Sequence, residues 1–163
     1  MNDQNELLEL FDRILTRNLA WISSADSKIA PILAINTAML AVIVALIPVS
    51  TGWSIATAIF SAITVILLFG SIICLVSASF PRLKGPKGSY LFFGGIAEHD
   101  PESYVNTLMN GITDDLLKDY ARQCHRNGQI AQSKFYFIKW AMILLYSSVL
   151  PFLIDVLLLY NLK

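Results

Sequence analysis

Residues 53–80 read WSIATAIFSAITVILLFGSIICLVSASF and contain no charged side chain. A run of about 18 or more apolar residues is typical of a helix that crosses a membrane. Two other stretches share this character, because residues 29–47 contain no charge and residues 140–160 contain only Asp155. The sequence therefore predicts an all-α membrane protein with three transmembrane helices, at 29–47, at 53–80 and in the second half of 113–160.

The composition of the whole chain agrees with this class. Of its 163 residues, 55% are hydrophobic and 15% are charged, whereas soluble domains contain about 25% charged residues. We therefore exclude a soluble globular enzyme and a protein that binds a nucleic-acid polymer.

The distribution of lysine and arginine predicts the orientation. Residues 1–28 contain three of these cations and residues 80–139 contain eight, whereas residues 48–52 contain none and the C-terminal tail contains only Lys163. Cytoplasmic segments next to membrane spans carry the excess of Lys and Arg. The N-terminus and the 80–139 region should be cytoplasmic, and the turn at 48–52 and the C-terminus should lie outside.

Two long helices are expected on the cytoplasmic side. Residues 1–28 predict an amphipathic helix, and residues 113–160 predict one helix that begins as a cytoplasmic stalk and continues as the third span. Each has an apolar face that needs a partner, so we expect the N-terminal helix to pack on the 113–134 stalk and on copies in a homo-oligomer. The apolar positions of the first helix recur at three- and four-residue steps: Leu7, Leu8, Phe11, Ile14, Leu15, Leu19 and Ile22.

Residues 81–112 are predicted to form a cytoplasmic loop and a short helix. Residues 81–99 are rich in Gly and Pro and are expected to be irregular. Asp100 is a favourable N-cap for a helix that should end at the turn signal Asn110-Gly111, and Thr113 is a favourable cap for the long helix.

No pattern typical of catalysis or metal binding is present. The sequence lacks a credible Ser/His/Asp arrangement and an HExxH motif, and residues 84–89 (KGPKGS) lack the spacing of a phosphate-binding P-loop. Cys124 and His125 are adjacent but have no second Cys/His pair. We expect no enzymatic activity, no metal and no cofactor.

Cations and aromatic residues in the cytoplasmic segments allow two interpretations. The cations can bind the phosphate of a small nucleotide while the aromatic residues stack on its base. Alternatively, the cations only set the membrane topology and contact lipid headgroups. Composition alone favours the second interpretation. The cations concerned are Arg17, Lys28, Arg82, Lys84, Lys87, Arg122, Arg126 and Lys134, and the aromatic residues are Tyr90, Phe92, Phe93, Tyr104 and Tyr120.

Two polar residues within the predicted spans also have alternative roles. Asn36 can hydrogen-bond to a neighbouring helix, which we favour, or it can line a pore. Asp155 can be a hydrated carboxylate near the outer surface, which we favour, or part of a ring at the mouth of a cation pathway.

Three groups of residues in sequence order carry a resemblance to a known family. One is Ala25-Asp26-Ser27-Lys28 before a span, and another is residues 91–97 (LFFGGIA) followed by Tyr104. The third lies on the helix that enters the last span and comprises Asp115, Tyr120, Gln123, Asn127, Ile130 and Lys134. In these features the chain resembles the transmembrane effectors (PycTM) of Pycsar, the pyrimidine cyclase system for antiphage resistance.

The resemblance implies a function that composition does not. It implies an effector in the bacterial inner membrane that responds to cUMP or cCMP from a paired cyclase, impairs the membrane and kills the infected cell. Basic residues would then bind the phosphate, Gln123 and Asn127 would read the base, and Phe92 or Phe93 would stack on it. The residues that the resemblance implies for ligand binding are Asp26, Lys28, Phe92, Phe93, Gly94, Asp115, Gln123, Asn127 and Lys134.

Two further classes remain open on the sequence. One is a ligand-independent membrane channel or toxin, and the other is a membrane scaffold without a pore. Expression with and without a pyrimidine cyclase discriminates between the effector and the ligand-independent toxin.

Overall fold

The computed structural model describes residues 2–46, 54–111 and 113–160. In these residues all regular structure is helical, which confirms the predicted all-α class. The predicted outer turn at 48–52 lies outside the described residues. The five helices are α1 (Asn2–Leu46), α2 (Ile55–Ser79), α3 (Phe93–Glu98), α4 (Pro101–Met109) and α5 (Asp114–Tyr160).

The helices α1, α2 and α5 are each long and apolar enough to cross a membrane. This confirms, within the described residues, the predicted number of helices that can span a membrane. The local sequence explains where α2 begins, because Ser54 caps its N-terminus by accepting a hydrogen bond from the Thr57 N–H at 3.1 Å. The placement of a stalk in the cytoplasm and the oligomeric state stay predictions.

The chain divides into two compact units. We call the residues up to Ser24 together with Pro81–Ser133 the polar unit, and Ala25–Phe80 together with the residues from Lys134 onward the apolar unit. Each unit is described by itself. Helices α1 and α5 contribute residues to both of them.

The core of the apolar unit consists of close-packed residues from α1, α2 and α5, among them Ala25, Leu68 and Ala141. Small residues allow the backbones to approach each other, as where Ser71 Oγ donates a hydrogen bond to the Ala141 carbonyl at 2.9 Å. The buried positions of α2 alternate between steps of three and four residues, the period of left-handed helix packing. They are Thr57, Ser61, Thr64, Leu68, Ser71, Leu75 and Ala78.

In the polar unit, the first part of α1 packs against the first part of α5. The Asn18 side chain donates a hydrogen bond to the Cys124 carbonyl at 2.8 Å, and the Cys124 thiol donates to the Phe11 carbonyl at 3.3 Å. The rings of Phe11 and Tyr120 stack with their centroids 6.4 Å apart. These contacts confirm that the N-terminal helix packs on the 113–134 segment.

The predicted caps are present. Asp100 accepts a hydrogen bond from the Ser103 N–H at 3.1 Å, with Pro101 at the start of α4. The Leu116 N–H donates to Thr113 Oγ1 at 3.3 Å, and Gly111 has a positive φ of 86° in the turn between the two helices. These cap and turn predictions are confirmed. Such signals can be recognised in a sequence because they act over only three or four residues.

The expectation that residues 81–99 are irregular is wrong in part, because α3 occupies Phe93–Glu98. Six residues are too few to display helical periodicity, and Gly94-Gly95 is a poor helix signal. Packing requires a glycine at position 95, because a Cβ there would lie 2.3 Å from the Ser89 carbonyl oxygen. Tertiary packing thus overrides local propensity in this segment.

Candidate ligand site

A buried hydrogen-bond network joins the loop before α3 to helix α5. Ser89 is 1% exposed, and its hydroxyl donates to Asp119 Oδ2 and accepts from Gln123 Nε2, both at 2.9 Å. The same carboxylate oxygen accepts from the Tyr90 N–H at 2.8 Å. Each partner is thereby satisfied in the interior, and the loop is held on one face of α5.

The fixed loop forms one wall of a pocket of about 660 Å³. We call this pocket the basic groove. The loop contributes Lys84, Gly85 and Pro86, and α5 contributes Ala121, Arg122, His125, Arg126 and Gln129.

Arg126 is held in a defined orientation in the basic groove. Its Nε donates to the Lys84 carbonyl at 2.9 Å, and its Nη1 donates to Gln129 Oε1 at 3.3 Å. Gly85 allows the loop to pack against Phe92, because a Cβ at position 85 would lie 2.3 Å from the Phe92 ring. Phe92 therefore packs directly behind the loop wall of the groove.

The lining of the basic groove carries Lys84, Arg122 and Arg126 together with His125 and no carboxylate. The sequence predicted these three cations as part of the cytoplasmic set but not as ligand residues, and it did not predict His125, Ser89 or Asp119 as residues of the site. The helical spacing of 122, 125, 126 and 129 is a signal for one basic face of α5. The pairing of Ser89 with Asp119 has no local signal.

A second pocket of about 500 Å³ has a different chemistry. It is lined by Leu8, Glu9, Asp12, Arg13 and Tyr120. Burial is the main cause that raises the pKa of Tyr120, and the negative charge of Asp12 raises it further. The Tyr120 hydroxyl donates a hydrogen bond to Asp12 Oδ1 at 3.4 Å. The two carboxylates make this pocket unsuited to an anion.

The cysteine of the polar unit is not placed for reactivity. Burial raises the pKa of the Cys124 thiol, and only the thiolate is a strong nucleophile or metal ligand. Among the described residues, no group of three or more His, Cys, Asp and Glu side chains is placed to hold a metal ion.

The ligand residues that the resemblance implied fall into both units. Phe92, Phe93, Gly94, Asp115, Gln123 and Asn127 belong to the polar unit, and Asp26, Lys28 and Lys134 belong to the apolar unit.

Several of the polar-unit residues already have structural partners. Gln123 bonds to Ser89, and the exposed Asp115 pairs with Lys118 at 3.4 Å. Phe93 is 62% exposed and contacts Phe92 at a centroid distance of 4.4 Å, and Gly94 lies against the Phe92 ring. Phe93 is therefore the more accessible of the two phenyl rings.

The three apolar-unit residues lie where α1 and α5 pack together. Lys134 is 8% exposed, and its Nζ contacts Asp26 Oδ1 at 2.5 Å. The Lys28 ammonium lies 5.0 Å from the centroid of the Phe135 ring, a cation–π contact. The structure thus brings Asp26 and Lys134 together as an ion pair.

The two polar residues of the spans are both fully buried. The interpretation of Asp155 as a hydrated carboxylate is wrong, because its Oδ1 accepts a hydrogen bond from Ser61 Oγ at 2.5 Å inside the apolar unit. Asn36 donates to the Ile32 carbonyl of its own helix at 2.8 Å, and its Oδ1 has no partner in the described part of the chain. The favoured inter-helix hydrogen bond of Asn36 is therefore not observed there. A pore role for either residue stays a prediction.

Comparison with known proteins defines the family. The model of the Pycsar effector protein domain, PycTM, matches residues 10–161. The chain belongs to the PycTM family of Pycsar effector proteins, as the resemblance predicted. A curated relative is the Pycsar effector protein PtPycTM from Propioniciclava tarda, which is 26% identical over 124 residues. The match covers 71% of this chain and 61% of that relative, so the chain spans less than two thirds of the relative's length. No solved structure matches significantly.

Proposed function

We propose that this chain is a membrane effector of antiphage abortive infection. A paired cyclase produces cUMP or cCMP, the effector responds by impairing or depolarising the inner membrane, and the infected cell dies. The observation that carries the proposal is the family match over residues 10–161 in a chain with three helices apolar enough to span a membrane.

The charge distribution supports the orientation that this function needs. Eleven of the twelve Lys and Arg residues precede residue 140, and none lies in the 48–52 connector. The N-terminus and the polar unit are then cytoplasmic and the C-terminus periplasmic. A nucleotide made in the cytoplasm reaches the polar unit without crossing the membrane.

A population shift explains how a ligand can act on the membrane. Because α1 and α5 each contribute residues to both units, a ligand that stabilises one conformation of the polar unit can bias the packing of the spans. A change from mostly inactive to mostly active needs about 5 kcal/mol of differential binding. Assembly into homo-oligomers would allow the spans to form a conduit, to which Asn36 and Asp155 would contribute polar groups.

The Asp26–Lys134 ion pair suggests a second contribution to switching. A phosphate group that binds Lys134 can displace the Asp26 carboxylate, which contacts the same ammonium group. Such a displacement removes an attractive contact between α1 and α5. Because Lys134→Ala removes both this contact and the cation that the phosphate would bind, we expect it to abolish the dependence of depolarisation on the ligand while leaving membrane insertion intact.

The test is depolarisation of living cells. The chain is expressed with an active pyrimidine cyclase and, as the control, with a catalytically inactive variant of that cyclase, and a voltage-sensitive dye reports the membrane potential. Depolarisation only with the active cyclase supports the proposal. Depolarisation with both supports a ligand-independent channel or toxin, and no change with either supports a scaffold without a pore.

A further inference from the structure

We propose that the basic groove is a binding site for a phosphodiester monoanion, with Arg122 and Arg126 as its principal phosphate ligands. The identification of that anion as the activating cyclic nucleotide rests on the proposed function. The site itself rests on the charge, the geometry and the size of the groove.

The charge of the groove is concentrated locally. The chain as a whole has 12 basic and 12 acidic residues, but the groove lining has three cationic side chains and no carboxylate. Arg122 and Arg126 are four residues apart on one helix face, where like charges destabilise a helix. An anion between the two guanidinium groups offsets this repulsion.

The groove is also organised before a ligand arrives. Arg126 uses two of its five N–H groups on the Lys84 carbonyl and Gln129, so three donors stay available in a fixed orientation. The loop wall is held at Lys84, whose carbonyl accepts from Arg126, and the same loop is held further on at Ser89 by Asp119 and Gln123. A ligand therefore does not have to order this loop, which lowers the entropic cost of binding.

The size of the basic groove and its difference in charge from the second pocket also favour a phosphodiester site. A volume of about 660 Å³ lies within the range of about 300–1,000 Å³ that is typical of small-molecule sites. Ala121, Gly85 and Pro86 provide uncharged surface beside the cations, which suits a sugar or a base. The second pocket contains Glu9 and Asp12 and would repel an anion.

Two sources supply this ligand chemistry. A cyclic mononucleotide and the headgroup of phosphatidylglycerol are both phosphate diesters with a single negative charge. Arginine binds phosphate oxygens of either source with paired N–H groups. The experiment must therefore offer both ligands separately.

The experiment is equilibrium binding to the purified chain of 163 residues in neutral detergent. The probes are cUMP, cCMP and the soluble lipid dioctanoyl phosphatidylglycerol. The test variants are Arg122→Gln and Arg126→Gln, and the matched control is Arg13→Gln, which removes an exposed arginine of α1. Loss of one charge-assisted contact should weaken binding about tenfold or more in each test variant and leave it unchanged in the control.

Folding is checked by the thermal transition of each variant. Arg122 is exposed, and no hydrogen bond or ion pair of its side chain is present in the described part of the chain, so Arg122→Gln should fold even if Arg126→Gln does not. Equal affinity of wild type and Arg122→Gln for every probe overturns the site. Failure of the wild type to bind any of the three probes also overturns it.

The possible results distinguish a failure of the phosphodiester site from a failure of the proposed function. Arg122-dependent binding of phosphatidylglycerol alone supports the phosphodiester site but removes the nucleotide as its ligand. Cyclase-dependent depolarisation that is identical in wild type and in the double variant Arg122→Gln, Arg126→Gln supports the proposed function and overturns the groove as the sensing site.

Discussion

Lys134 illustrates why the partner of a charged residue matters more than its charge. From the sequence it is one of several cations that can face lipid headgroups or a ligand. In the structure it is nearly buried and contacts Asp26, so its first role is to join α1 and α5 within the apolar unit.

Removing that contact should destabilise the protein. Lys134→Ala leaves the half-exposed Asp26 without its partner, and we expect a loss of about 1–2 kcal/mol in the free energy of unfolding. The control is Lys118→Ala, which breaks the exposed pair with Asp115 and should cost less than about 0.5 kcal/mol. Denaturant titration in detergent measures both, and equal losses would contradict the structural role of the Asp26–Lys134 pair.

Two helical glycines allow a matched test of packing. A Cβ on Gly95 would lie 2.3 Å from the Ser89 carbonyl oxygen, whereas one on Gly128 would meet nothing within 4 Å. Gly95→Ala should cost about 1–3 kcal/mol because it separates α3 from the loop. Gly128→Ala should stabilise by about 0.5–1 kcal/mol through helix propensity. Thermal unfolding of the two variants should shift in opposite directions, and a shift in the same direction would refute this account.

Helix α2 shows how one element can be exposed on one side and tightly packed on the other. Its buried positions follow a 3.5-residue repeat, and four of the seven are Ser or Thr. Small polar residues let a helix approach its neighbours closely while their hydroxyls bond to backbone or side-chain acceptors. This explains why the stretch with no charges at all still has one defined buried face.

The buried face of α2 can be tested by truncation. Leu68 is 0% exposed and Ile66 is 69% exposed on the same helix. Leu68→Ala should cost about 2–5 kcal/mol because it leaves a cavity between helices, whereas Ile66→Ala removes a side chain from the exposed surface and should cost less than about 1 kcal/mol. Unfolding in detergent reports both values. A larger effect for Ile66→Ala would mean that the packed face of α2 is assigned wrongly.

At the scale of the whole molecule, the proposed function requires the polar unit to lie on the cytoplasmic side of the membrane. Three membrane crossings would place the two termini on opposite sides. The basic groove, the Ser89 network and the α1–α5 contacts of the polar unit all lie in residues that the charge distribution assigns to the cytoplasm.

Reporter fusions test this topology. A green fluorescent protein fused after Tyr120 should fluoresce, because it stays in the cytoplasm, and alkaline phosphatase fused at the same point should be inactive. Alkaline phosphatase fused after Tyr160 should be active, because it reaches the periplasm. The two fusion points serve as controls for each other, and an active phosphatase after Tyr120 would reverse the orientation and contradict the proposed function.

Much of the fold follows from the sequence by itself. The three helices able to span a membrane are determined by the length of the apolar stretches, and the caps at Asp100 and Thr113 are determined by residues within one helical turn of each other. Both are properties of neighbouring residues, because hydrophobicity and capping act along the chain. The resemblance that indicated the family likewise depends on residue types and their order.

The tertiary structure alone decided which distant side chains meet. Arg126 bonds to the Lys84 carbonyl, 42 residues away, Ser89 bonds to Asp119, 30 residues away, and Asp155 faces Ser61 instead of water. Each contact depends on the rotation and register of packed helices, and a change of one residue in register turns a side chain by about 100°. No local pattern encodes that register, so the basic groove emerges only when α5 and its loop are packed together.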